Sequence, residues 1–152
     1  MWSILRVCAQ SVKLDIMSAT RDRPRMMKTL ILVASGGAIG ATLRYLWGLA
    51  VYRLTGGPTE LPVAIIGANV VGSFLMGVFV VLAAHKGLTH YAPFVMVGLL
   101  GGFTTFSAFS LETVTLIEKG ALGHAVLYVL LSVVLSVGGL MAGLWVMRGA
   151  LL

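Results

Sequence analysis

The sequence predicts an all-α membrane protein of four transmembrane helices joined by short loops, with the third helix broken near the bilayer midplane. Three observations carry that prediction. Of the 152 residues, 59% are hydrophobic and only 11% charged, and the mean hydropathy is +1.00. A soluble domain carries about a quarter charged residues, so this chain cannot cover its apolar surface with charge and the bilayer is its natural solvent. The apolar residues fall into four windows, each of about the twenty residues needed to cross about 30 Å of hydrocarbon. The third window is interrupted by "GGFTTFSAFSLE", residues 101–112, with paired glycines, paired threonines, two serines and a carboxylate.

Residues 1–26 differ in composition from the rest of the chain and read as a basic N-terminal tail ahead of a transmembrane domain at 27–152. Arg6, Lys13, Arg21, Arg23 and Arg25 supply five of the eleven basic residues. The tail holds no apolar stretch with a signal-peptide cleavage site. It is expected to be disordered or to precede the true start, because Met26 and Met27 are alternative beginnings. Its lone cysteine, Cys8, permits no intrachain disulfide. Basicity concentrated in a tail leaves no basic patch on the remaining chain, so nucleic acid is excluded as a partner.

The spans are expected at 29–52, 61–84, 92–117 and 121–147, linked by "RLTGGPTE", "HKGLTHY" and "EKG". Pro58, Pro62 and Pro93 fall at or near span ends, where a missing N–H is harmless. No length remains for a soluble domain. Without the tail, one membrane face carries Lys28, Lys86 and Arg148 and the other Arg53 and Lys119. Lys/Arg bias sets orientation, so a near tie lets the chain insert both ways, whereas the tail would hold the N-terminus inside.

Small residues recur at helical spacing. Span one has Gly36, Gly40 and Gly48 in register with Arg44; span two has Gly67, Gly72, Ser73 and Gly77; span four has Gly139 and Gly143. Such residues let helices approach closely in lipid. Four helices enclose little lumen, so an oligomer is expected, most often two-fold.

Polar groups in these spans need partners, and ionisable ones are functional candidates. Arg44 in span one and Glu112 in span three approach the same face, at depths about 6 Å apart by helical rise. A salt bridge between them, pairing with another chain, snorkelling, or proton coupling through Glu112 are the open readings. Asn69 in span two is either interhelical glue or a donor to a ligand. In span four, His124, Tyr128, Ser132 and Ser136 recur every four residues and share one face. That stripe lines a pathway or seats a partner helix.

The Gly-Gly-Phe-Thr-Thr segment lies about half a bilayer deep. Gly-Gly followed by Phe-Thr-Thr weakens a helix there, and a broken backbone at that depth survives only if buried or used. Freed carbonyls can coordinate a cation. If two chains insert antiparallel, their breaks meet on the two-fold axis and carbonyls from both chains surround one ion. Beyond the break, Phe106 and Phe109 share a face and offer electropositive ring edges to an anion; packing is the plainer account of such a pair.

These residues resemble the small bacterial fluoride channels of the Fluc or CrcB type. The motifs are "GGAIGATLRY" in span one, "GANVVGSFLMG" in span two and "GGFTTFSAFSLE" in span three, with Tyr128, Ser132 and Ser136 in span four. The match covers the chain from about Met27 onward; Ala108 stands where the third motif often has Thr. The resemblance implies an antiparallel, dual-topology homodimer in the bacterial plasma (inner) membrane that passively exports fluoride and relieves its toxicity. It implies an ion pathway of Asn69, Phe106, Phe109, Tyr128, Ser132 and Ser136. It implies a structural sodium at the dimer interface, held by the backbone carbonyls of Gly101 and Thr104. Arg44 matches the family arginine, and Glu112 the polar residue ending the third motif.

Two other functions fit four short spans. A small proton-coupled multidrug-type exporter needs a central carboxylate, whereas Glu112 lies near a span end. A non-transporting scaffold explains the small-residue seams but not the midplane break. No nucleophile–base set, metal-ligand cluster or phosphate loop points to an enzyme.

Overall fold

The computed structural model describes residues 23–151 together with Gln10. The expectation for the tail, and with it Cys8, lies largely outside these residues. Helix α1 spans Arg23–Thr55, and α2 spans Val63–Lys86. A 3₁₀ turn, Leu88–Tyr91, leads into α3, which comprises the π-wound Pro93–Leu100 and Gly101–Phe103. Helix α4 is Phe106–Glu118 and α5 is Leu122–Leu151. Helices α3 and α4 together form the third crossing, so four crossings are present, as expected. Helix α1 begins before the predicted 29 and takes in the last residues assigned to the tail. Pro24 sits in its first turn, where its fixed φ suits a helix start.

The first and third crossings run parallel and touch along a glycine seam. A methyl group on Gly40 would fall on the Leu99 carbonyl and lie 2.9 Å from the Phe103 nitrogen; from the other side, one on Gly102 would lie 2.8 Å from the Gly37 carbonyl. The second and fourth crossings pair in the same way. A methyl group on Gly77 would meet the Leu140 carbonyl, and one on Gly143 would meet the Phe74 carbonyl. Backbones this close leave no room for any side chain, and such contact holds helices together in lipid. Gly48, in the same register as Gly36 and Gly40, faces open space.

The break lets the third crossing change partners. Before it, α3 lies on α1; after it, α4 leaves α1 and packs against α5. Leu116 of α4 there joins Ala125 and Tyr128 of α5 in one core cluster, flanked by Ile65, Ile66 and Phe109. Val80, Val81 and Leu144 form a second cluster toward the opposite face. Ile31, Tyr45, Leu54, Leu111 and Trp145 are exposed, an apolar exterior suited to lipid or to a second copy. Gly87, at φ +66°, ends α2 in the left-handed conformation and donates its N–H to the Ala83 carbonyl.

Candidate functional site at the helix break

The interruption consists of two extended residues near the middle of the third crossing, Thr104 (φ −80°, ψ 158°) and Thr105 (φ −151°, ψ 124°). Of the segment expected to break, the glycines are helical; Gly101 has φ −65° and ψ −34°. Gly102 serves close packing, and the threonines make the break. The Thr104 N–H and hydroxyl both donate to the Leu100 carbonyl at 2.9 Å, closing the first half. The Thr105 hydroxyl caps the second half by accepting from the Ala108 N–H at 3.2 Å.

Asn69 supplies what the broken helix lacks. Its Oδ1 accepts the Thr105 N–H at 2.8 Å, and its Nδ2 donates to the Thr105 carbonyl at 3.1 Å. The amide is thus a clamp on the break, which realises the interhelical reading of this residue. One Nδ2 hydrogen remains unspent.

The same clamp frees a carbonyl. A continuous helix would give the Gly101 carbonyl the Thr105 N–H, but that N–H goes to Asn69, and the Thr104 N–H goes to Leu100. The Thr104 carbonyl receives only a long 3.4 Å contact from Arg44 Nη1. Both oxygens named in the sequence therefore lack a helical partner, and neutral carbonyls of this kind suit a small hard cation. Arg44 makes no ion pair with Glu112. The one salt bridge among the described residues joins His124 to Glu60 at 3.6 Å, on exposed side chains. Within one chain, Arg44 reaches the Thr104 carbonyl instead.

A cavity of about 420 Å³ opens beside the break. Asn69 and Ser73 of α2, the two threonines, and Phe106 and Phe109 of α4 line it. Ser132 and Ser136 of α5 form the facing wall. The Phe106 and Phe109 rings lie 5.3 Å apart, and Phe109 lies 5.3 Å from Tyr128. Tyr128 is 0% exposed behind Phe109, whereas Phe106 is 78% exposed at the edge of the chain. The hydroxyls of Tyr128, Ser132 and Ser136 are buried, and none has a partner within 3.5 Å among the described residues. A buried hydroxyl without a partner is costly, and three in one stripe mark a place where something polar belongs.

Sequence reasoning missed Thr105, although a threonine just before a helical run is a standard cap signal. It also counted Ser73 among close-packing residues. Trp47, whose indole N–H donates to the Ala64 carbonyl at 2.9 Å, stands edge-on to Phe103 at 6.3 Å and braces α3; nothing in the sequence flagged it.

The family model described as CrcB-like protein, Camphor Resistance (CrcB), matches residues 31–144. The chain belongs to the CrcB family. It is 74% identical over 126 residues to the fluoride-specific ion channel FluC of Roseobacter denitrificans, covering 83% of this chain and 100% of that one. The FluC of Ruegeria is 61% identical, over 83% of this chain and 99% of its own. The FluC of Cereibacter sphaeroides is 58% identical, over 82% and 98%. Membership in a channel family agrees with the absence of enzymatic machinery expected from the sequence. Among the described residues, no group of His, Cys, Asp and Glu could hold a metal through its side chains.

Proposed function

We infer that the protein is a fluoride-selective channel that passively lets the anion leave the cytoplasm. The single observation that carries this reading is the stripe of buried, unpartnered hydroxyls on Tyr128, Ser132 and Ser136, in a chain closely similar to proteins named fluoride-specific ion channels. Fluoride is small and strongly hydrated, so a pathway must replace its water with donors of comparable strength yet release the ion again. Neutral hydroxyls do this without trapping the ion. The spare Nδ2 hydrogen of Asn69 adds a donor, and the edges of Phe106 and Phe109 add positive quadrupole.

The active form is an antiparallel homodimer of dual topology in the bacterial inner membrane. The near tie in Lys/Arg between faces supports it, as does Phe106, a pathway residue left uncovered by its own chain. A structural sodium belongs at the break, with Gly101 and Thr104 contributing carbonyls. Bound there, it would supply fixed positive charge beside the break, held by those two carbonyls. Arg44, within reach of the Thr104 carbonyl, adds positive charge near the same point.

Proton-coupled export through Glu112 is not favoured. Glu112 is half-buried on α4 and does not line the cavity, so it is badly placed to exchange protons for a cation there. The test is efflux from liposomes containing the purified protein, fluoride beside chloride. Fluoride loss without chloride loss, abolished by Phe106→Ile, supports the channel; a folded protein that releases no fluoride refutes it. Crosslinking that yields only parallel pairs refutes the antiparallel dimer.

A further inference from the structure

Apart from Ser107, which pairs with the Thr105 hydroxyl at 3.3 Å, the serines and threonines of the membrane helices fall into two groups. Thr29, Ser35, Thr42, Thr55, Ser110, Thr113 and Thr115 each donate to a carbonyl three or four residues earlier on their own helix. That is the ordinary way to satisfy a hydroxyl in a helix. Ser132 and Ser136 do not, and both line the cavity. One further helical serine makes no bond back to its own helix: Ser73 of α2 lines the same cavity and is half-buried, its hydroxyl reached from the cavity rather than fully enclosed like those of Ser132 and Ser136.

Its position is set by its neighbours. Asn69, Ser73 and Met76 lie at i, i+4 and i+7, on one face of α2, and all three border the cavity. Gly72 and Gly77 take the packing duty instead. A methyl group on Gly72 would meet the side-chain methyl of Thr104, and one on Gly77 would meet α5. The serine is thus not needed as a small residue in either seam. It holds an unspent donor on α2, in the same cavity lining as Ser132 and Ser136 of α5 and one turn along α2 from the Asn69 clamp.

We propose that Ser73 is a fourth hydroxyl of the anion pathway, donating to fluoride from α2 while Ser132 and Ser136 donate from α5. This rests on the reading of the chain as a fluoride channel. An ion held from two walls is more fully wrapped than one sliding along a single stripe, which is what a strongly hydrated anion requires on losing its water.

The test uses the full-length protein in liposomes, with fluoride and chloride electrodes and the variants Ser73→Thr and Ser73→Val. These two side chains have nearly the same shape and differ in the hydroxyl. Ser73→Val is expected to slow fluoride efflux about tenfold, equivalent to about 1.4 kcal/mol at the barrier. Ser73→Thr should stay within about threefold of the parent, the loss expected from one extra methyl rather than a lost donor. Equal fluoride rates for the two variants would overturn the proposal, whatever their common value. Were the parent itself to release no fluoride, the channel reading would fall and this assignment with it. A conducting parent with matched variants would remove Ser73 alone.

Discussion

Asn69→Ala removes both bonds that hold the break. The Thr105 N–H loses an acceptor at 2.8 Å and the Thr105 carbonyl loses a donor at 3.1 Å, in a region where water cannot stand in freely. Interhelical hydrogen bonds in membranes contribute about 0.6 to 2 kcal/mol each, so the pair is worth about 2 kcal/mol. Stranding a buried backbone group costs about 1 to 3 kcal/mol, which sets the upper end near 4 kcal/mol. A shift of 2 kcal/mol lowers the population of the ordered break roughly thirtyfold relative to competing conformations. Fluoride efflux from liposomes should therefore fall by at least about tenfold, and the melting temperature in detergent should drop with it. Asn69→Asp separates the two bonds, since it keeps an acceptor for the Thr105 N–H but faces the Thr105 carbonyl with a second oxygen. It should lose conduction as well. Efflux within twofold of the parent and an unchanged melting temperature for Asn69→Ala would refute the clamp.

Phe106→Ile should abolish fluoride efflux while the protein keeps its elution volume, because the ring projects from its own chain and supports no internal core. Gly77→Ala should destabilise the protein by about 1 to 3 kcal/mol, the usual cost of overpacking, read as a lower melting temperature; Gly149→Ala, which faces open space, should leave it unchanged or slightly raised. Glu60→Gln should change stability by less than about 1 kcal/mol, because its partner His124 and Glu60 itself are exposed. Replacing sodium by a large organic cation during purification should lower the melting temperature in proportion to the logarithm of sodium concentration, as expected for an ion bound only by the folded state; indifference to sodium would argue against the cation at Gly101 and Thr104.

The four crossings were legible because hydropathy and length alone decide them. The stripe Tyr128, Ser132, Ser136 was legible because a four-residue period fixes one helix face. The break was located to the segment Gly-Gly-Phe-Thr-Thr, but not to the two threonines within it that make it. Glycine has two uses in a membrane helix, weakening it and letting it pack, and the sequence does not say which applies. Gly101 and Gly102 are helical because α1 presses on that segment, and Thr105 caps the next helix instead. The partner of Asn69 was hidden for a related reason: spacing gives depth and face within a helix, but not the rotation of one helix against another. The same limit left Arg44 and Glu112 looking like a pair when Arg44 points to the Thr104 carbonyl.

The glycine seams in which backbone meets backbone join crossing one to three and two to four, which are not neighbours in sequence. During synthesis, therefore, the first helix enters the membrane without its partner and must wait for residues 93–103 to emerge before its seam can close. The second waits longer still, until the last helix is made. Until then each exposes a strip of bare backbone to lipid or to whatever insertion machinery shields it. A chain truncated after the second crossing should be captured by quality control rather than accumulate, and the final helix, arriving last, completes both the second seam and the hydroxyl stripe in one step.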